Sequence, residues 1–371
     1  MATTAPDSLE VMEKVNTYQA YQRAEGIPVI TGFAVGDLHA VELAPWPRRE
    51  GRGTFINLDG TGGTNDAYVC EIPPGGALAP QRQLYEEMIY VLDGNGSTQV
   101  WYDENKKVSF EWRKGSLFAI PLNAWHRHFN GRGDRAARFL AVTNAPVVMN
   151  LFHNVDFVFN TPFVFDDRFA GQDNYFDGQG KFMRAYNGRA TLETNFVPDT
   201  HNIELQALAA RGAGGRNISF ELAHQTMAAH ISEFPVGTYK KGHQHGPGAH
   251  VIILSGKGYS LLWPEGEERR RCDWRPGTLV VPPNMWFHQH FNSGPEPARY
   301  LALRWGSRRY DMGGAIRGET GDSHVDRKQG GAQIEYPDED PEIHRIFEAE
   351  LARNGAQCRM KSMVAWCTAP E

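Results

Sequence analysis

The second half of this 371-residue chain repeats the first. Laid over Gly237 to Asn292, the segment Gly75 to Asn130 keeps one register without a gap. Gly94 and Gly96 fall on Gly256 and Gly258, Trp101 on Trp263, and Trp112 on Trp274. Gly115 falls on Gly277 and Pro121 on Pro283. The segments end HRHFN (126–130) and HQHFN (288–292). Upstream, EIPPG (71–75) matches EFPVG (233–237); downstream, ARFLAV (137–142) resembles ARYLAL (298–303). A duplication of this length constrains the architecture before any single element is read: one fold, twice, head to tail.

Each copy reads as short strands. IYVLDGNGSTQVWY (89–102) and VIILSGKGYSLLW (251–263) place β-rich runs around a Gly-x-Gly turn, which predicts a hairpin. GSLFAIP (115–121) and GTLVVPP (277–283) read as buried strands stopped by proline. Regular short strands with turns indicate a sandwich or barrel, so the expected class is all-β, with two tandem barrels. The expected divisions are an N-terminal helical arm (1–30), a first barrel (31–150), a connecting segment (151–215), a second barrel (216–310) and a tail (311–371). Helices are predicted over 8–24, 202–210 and 341–354, the last with Pro341 at its start. The connection is expected to add strands to the second barrel.

A formal charge of −6 without a basic run argues against nucleic acid or an anionic membrane as partners. No apolar run reaches membrane-spanning length, and the first residues lack the pattern of a secretory signal, so a cytoplasmic location is expected. Cys70, Cys272, Cys358 and Cys367 form no CxxC pair, which points to reduced thiols and away from a zinc–cysteine site. The duplication and the N-terminal helix suggest a homo-oligomer.

Chemistry concentrates in the second copy. His243 and His245 lie two apart, on one face if the segment is extended. His288 can meet them from a neighbouring strand. Three neutral imidazoles with open positions suit a divalent transition metal: Fe(II), Mn, Zn, Ni or Cu. His250 should face away unless a bulge turns it inward as a fourth ligand. His290 shares a face with His288, as an acid/base or as a core hydrogen-bonder. Arg304 could clamp a substrate carboxylate or pair with Glu233. Trp286, Phe234 and Trp263 are candidate pocket walls or core residues. His224, His230 and His344 have no evident constellation.

These patterns resemble the two short motifs of the cupin superfamily, whose fold is a small jelly-roll barrel. The resemblance implies His243, His245 and His288 as its three histidine ligands, with Ala249 where the usual glutamate stands. HQHGPGAHVIILSG (243–256) is similar to the HxHxPxA pattern of gentisate 1,2-dioxygenases and their salicylate and hydroxynaphthoate relatives. Their WHxH motif resembles WFHQH (286–290), with Phe287 inserted. In the first copy the aligned residues are Gln81, Gln83, Glu87 and His126, and no tight metal is expected there. Gentisate-type enzymes generally carry iron in the first barrel, so the placement is reversed.

The resemblance implies an Fe(II) dioxygenase of a small oxygenated molecule, for instance ring cleavage of a hydroxylated aromatic acid, with O2 as co-substrate and His290 and Arg304 as catalytic groups. Two alternatives stay open. One is a non-oxidative metal-dependent isomerase, decarboxylase or lyase. The other is a binding or storage protein with two such barrels, since fold alone implies no chemistry.

Overall fold

The computed structural model describes residues 12–184, 190–246, 248–310, 312 and 323–370. Each repeat folds into a jelly-roll barrel of one large and one three-stranded sheet. In the first, Val29–Gly32, Gly51–Leu58, Asp66–Ile72, Ala137–Thr143, Glu87–Asp93 and Leu117–Ile120 run side by side. Trp125–Asn130, Asn95–Trp101 and Val108–Arg113 form the small sheet. The second barrel repeats that order with Ala190–Thr194, Arg216–Leu222, Met227–Phe234, Ala298–Trp305, His250–Ser255 and Leu279–Val280. Its small sheet is Arg270–Trp274, Gly258–Trp263 and Phe287–Asn292.

The two Gly-x-Gly turns are corners, not hairpins. Glu87–Asp93 pairs with Ala137–Thr143 and Leu117–Ile120, whereas Asn95–Trp101 pairs with strands of the other sheet. The chain therefore crosses from one sheet to the other at Gly94. Gly94 has φ +90° and Gly256 has φ +85°, the left-handed region that glycine adopts without strain. A Cβ on Gly96 would sit 2.0 Å from the Phe129 carbonyl oxygen. The glycine spacing that mimics a two-residue hairpin is set by packing at the sandwich corner.

The barrels exchange strands. Phe196–Val197, which leads into the second repeat, pairs with Leu117 and Phe118 of the first. Ala34–Val35, which leads into the first, pairs with Leu279 and Val280 of the second. Matching backbone bonds flank both: Thr200 N–H donates to Gly115 O at 2.9 Å and Leu38 N–H to Gly277 O at 2.8 Å. Between the barrels Glu86 is buried and accepts from the Thr226 N–H at 2.9 Å, while the Gln225 amide donates to the Ile120 and Glu87 carbonyls.

The first predicted helix spans Thr17–Glu25. The Asn16 side chain accepts from Gln19 N–H and sets its start, residues 12–16 precede it without helix, and 8–11 lie outside the described residues. No α-helix forms at 202–210. Gln206–Ala207 pairs with Arg216 and Asn217, and Ala209–Arg211 makes one 3-10 turn. Gly212, at φ +135°, ends it before a second turn can close. The connection does add strands, and also two short helices, Ala145–Phe152 and Val155–Asn160, that the sequence reading left unassigned. The last helix is Pro341–Arg353, with Asp340 as its cap. Among the described residues no helix is long and apolar enough to cross a membrane.

One carboxyl is paired with the N-terminal helix. Asp66 is buried beside the Thr61 hydroxyl, at 3.4 Å, and Tyr18. Burial raises its pKa from 3.8 to about 8, against the pull of those two donors. Folding thus takes up a proton between those values, so this site lowers stability as pH rises from about 4 to about 8. Asp66→Asn removes that dependence. Thermal melts at pH 5.5 and 8.5 should show a smaller drop for the variant than for the parent chain; equal drops would refute the assignment.

Candidate metal centre

The strand Phe287–Asn292 alternates. Its outward positions are Phe287, Gln289 and Phe291, and its inward positions are His288, His290 and Asn292. His243 lies opposite His288 in an antiparallel bridge, each backbone N–H donating to the other's carbonyl, at 3.2 and 2.8 Å. Their rings stand 4.1 Å apart by centroid. His245, two residues on, brings its ring to 4.9 Å from His288 and 5.6 Å from His243. One nitrogen from each of the three lies within 4.8 Å of the others. The tail braces this segment: Gln244 N–H donates to Ala332 O, and Ile334 N–H to Gly242 O.

Tautomers follow from the backbone. His243 Nδ1 donates to Lys241 O at 3.1 Å and His288 Nδ1 to Trp286 O at 3.3 Å. Each Nε2 is left with its lone pair for the shared space. Burial, Arg211 and the other two rings hold His243 well below the usual histidine range. Burial, His288, Arg304, Arg211 and His230 do the same for His245. His288 is pushed down to about 3, mainly by burial. Three uncharged imidazoles aimed at one point are a donor set that fits a divalent transition metal.

The surrounding barrel is apolar on one side and cationic on the other. Phe234, Ala249, Val251, Ile253, Trp274, Ala298, Tyr300 and Ala302 form one buried cluster. Phe234 is therefore an interior residue, as the sequence reading allowed. Lys240 is buried; its ammonium bonds the Ser232 hydroxyl and lies 5.0 Å from the Tyr300 ring centre. Burial alone would raise the Tyr300 phenol, but Lys240, Ser232 and Arg211 together lower it. Arg211, from the 3-10 turn, and Arg304, on Ala298–Trp305, add positive charge near the triad. Lys240, Tyr300 and Arg211 were missed in the sequence. The signal was present in the repeat register, where Leu78 and Phe139 stand in the other barrel. There, Leu78 N–H bonds His128 O as Lys240 N–H bonds His290 O. Phe139 faces Cys70 as Tyr300 faces Ser232.

Other predicted residues stand elsewhere. Trp263 is opposite Phe287 in register, with ring centres 5.7 Å apart, so both face outward under the C-terminal helix. Trp286 packs on Phe33, with Arg270 over both rings. The alternation of Phe287 with His288 turns Trp263 away from the triad. Glu233 pairs with Arg299 at 2.8 Å, not with Arg304, which lies opposite Ala228. His250 is fully buried and bonds Asn65 of the first barrel at 3.0 Å; it is outside the triad. Pro247, within the HQHGPGAH motif, lies outside the described residues.

His290 sits in a relay. Its Nδ1 is 2.7 Å from Ser260 Oγ, which also accepts from Trp274 Nε1 at 3.1 Å. The first barrel has the same relay in His128, Thr98 and Trp112, at 2.8 and 2.9 Å. A motif built twice, once without the triad, is explained by packing. In that first barrel Gln81 donates to Gln83 at 3.0 Å and Gln83 to Glu87 at 3.4 Å, and His126 Nε2 lies 3.6 Å from Glu87. Arg48 donates to Gln81 at 3.0 Å. Two of the three histidine positions of the second copy are hydrogen-bonded amides in the first, and the third keeps its histidine, His126.

Residues 68–143 match the family described as a cupin domain. A 5-aminosalicylate 1,2-dioxygenase of Comamonas sp is 27% identical over 100 residues, which are 26% of this chain and 25% of that protein. Glucose-6-phosphate isomerase of Pyrococcus abyssi is 38% identical over 79 residues, 20% of this chain and 41% of that protein. The isomerase of Thermococcus litoralis is 42% identical over 77 residues, 20% and 40%. This chain thus spans less than half the length of these relatives. Among solved structures, oxalate decarboxylase of Bacillus subtilis is 12% identical with a TM-score of 0.48, covering 75% of this chain and 78% of that one. Vicilin of hazelnut, Corylus avellana, is 12% identical with a TM-score of 0.47, covering 73% and 85%. The first repeat therefore carries the family match to a cupin domain, and the second repeat has the same strand order.

Proposed function

We propose that the second barrel binds one divalent metal, iron(II) by preference, on His243, His245 and His288, and acts with O2 on a small anionic aromatic such as a hydroxylated aromatic acid. One observation carries this reading. The barrel that gathers three neutral histidines also carries Lys240 and Arg304 where the other barrel has Leu78 and Thr143, while Arg211 has its counterpart in Arg49. With Ala249 in place of a carboxylate, the ligand set carries no negative charge of its own. It favours anionic substrate oxygens as the remaining ligands.

When bound, the metal would hold substrate and O2 side by side and pass electron density between them. The chain supplies the rest. Arg304 and Arg211 hold the carboxylate. Phe234, Val251, Ile253 and Ala302 exclude water from the ring. Lys240, Ser232 and Arg211 lower the Tyr300 phenol against the rise from burial, which makes it the group proposed to give a proton to a substrate oxygen.

The isomerase relatives favour a second reading, metal-dependent isomerisation of an anionic sugar, in which the same cations would hold a phosphate. One experiment separates the two. Protein reconstituted with Fe(II) is offered hydroxybenzoates, aminosalicylates and their decarboxylated analogues in an oxygen electrode. Uptake with the acids, and an apparent KM at least about tenfold higher without the carboxylate, is expected. No uptake with any of these acids, together with O2-independent turnover of a sugar phosphate offered to the same protein, would replace the oxygenase reading with the isomerase one.

A further inference from the structure

A second group of ligands lies outside the barrels. His344 and Glu348 are one turn apart on Pro341–Arg353. The chain leaves that helix and folds back, and Cys358 and Cys367 arrive over the same turn. Cys358 Sγ is 3.7 Å from Cys367 Sγ and 3.9 Å from His344 Nε2. Glu348 Oε1 is 3.4 Å from Cys367 Sγ and 3.3 Å from His344 Nε2. The four ligand atoms all lie within 4.8 Å of one another.

These spacings have a physical meaning. Zinc bonds of about 2.3 Å to sulfur and about 2.0–2.1 Å to nitrogen or oxygen put the corners of a tetrahedron about 3.3–3.8 Å apart. The four observed edges stand close to that range, from 3.3 to 3.9 Å. The surrounding bonds orient each donor. Tyr239 donates its hydroxyl proton to Glu339 at 2.6 Å, so at 3.0 Å it accepts from His344 Nδ1. His344 Nε2 is thereby left as the lone pair facing the cysteines. The Glu348 carboxylate is held by Thr368, whose N–H and hydroxyl each donate at 2.7 Å.

We propose that His344, Glu348, Cys358 and Cys367 bind one structural zinc ion, independent of the histidine triad and of the reaction assigned to it. Two cysteines and a histidine select a thiophilic ion, and four protein donors close the shell. This departs from the expectation that these cysteines and His344 have no metal role: eight residues lie between the thiols, too many for a CxxC signature, and the helix supplies the other half. The ion would tie the tail to the outer face of the second barrel. Phe347, Leu351, Met360 and Val364 pack there against Tyr239, Tyr259 and Phe291. Glu339 carries the connection inward, accepting at 2.6 Å from Gln289, which lies between His288 and His290.

The full chain, loaded with cobalt(II), tests this directly. Thiolate-to-cobalt charge-transfer absorption is expected, and the triad cannot give it because it contains no sulfur. Elemental analysis should find one zinc per chain that persists in His243→Ala and is lost when Cys358→Ser and Cys367→Ser are combined. The cobalt spectrum of the unmutated chain decides the matter even if that double variant folds poorly. Absence of the charge-transfer band, a Cys358–Cys367 disulfide in freshly purified protein, or unchanged zinc in the double variant would each overturn the proposal.

Discussion

His243→Ala empties the second barrel of its metal and lowers turnover by more than about a hundredfold, a loss already reached in metal enzymes when only an outer partner of a ligand is removed. His243 forms both the shortest ring contact of the triad and the backbone bridge to His288. Alanine keeps that bridge, because its two bonds are made by main-chain atoms. The fold should therefore survive: circular dichroism and the melting transition stay near those of the parent chain while metal content and O2 uptake fall together. Undiminished turnover in protein shown to have lost the triad metal would end the metal-dependent reading.

Gly258→Ala has the largest expected effect on stability. A Cβ there would stand 1.9 Å from the Phe291 carbonyl oxygen and 2.7 Å from the Trp274 ring. Neither obstacle is a flexible tip. Phe291 pairs with Tyr259 in the small sheet, and Trp274 Nε1 is committed to Ser260. Relief requires moving the strand that carries His288. The cost should be about 4 kcal/mol, at the severe end for a single substitution. Gly133→Ala meets nothing within 4 Å and should change little. Chemical denaturation of the pair measures the contrast; a midpoint for Gly258→Ala close to the parent value would show that the corner yields.

The duplicated barrels and the triad were legible because both rest on spacing. Repeat register fixes which residues are equivalent, and two-residue alternation with a second motif fixes which histidines meet. What was illegible depends on the third dimension. Gly94 and Gly256 read as hairpin turns because a corner and a hairpin use the same positive φ, and only the pairing partners distinguish them. Trp263 looked like a pocket wall, but its register with Phe287 turns it outward. Lys240 carried no motif; it matters because it replaces Leu78 at a position that faces the site. The cysteines converge only when the final helix docks, which no spacing rule anticipates.

The reciprocal strand pairs bear on why a barrel with glutamines at its ligand positions stays in the chain. Ala34–Val35 and Phe196–Val197 each complete the opposite barrel's sheet. Cutting the chain between the repeats would leave each half with a raw sheet margin and a stray strand. The two copies are joined at their margins, and neither large sheet has a finished form without the strand that the other copy's approach supplies.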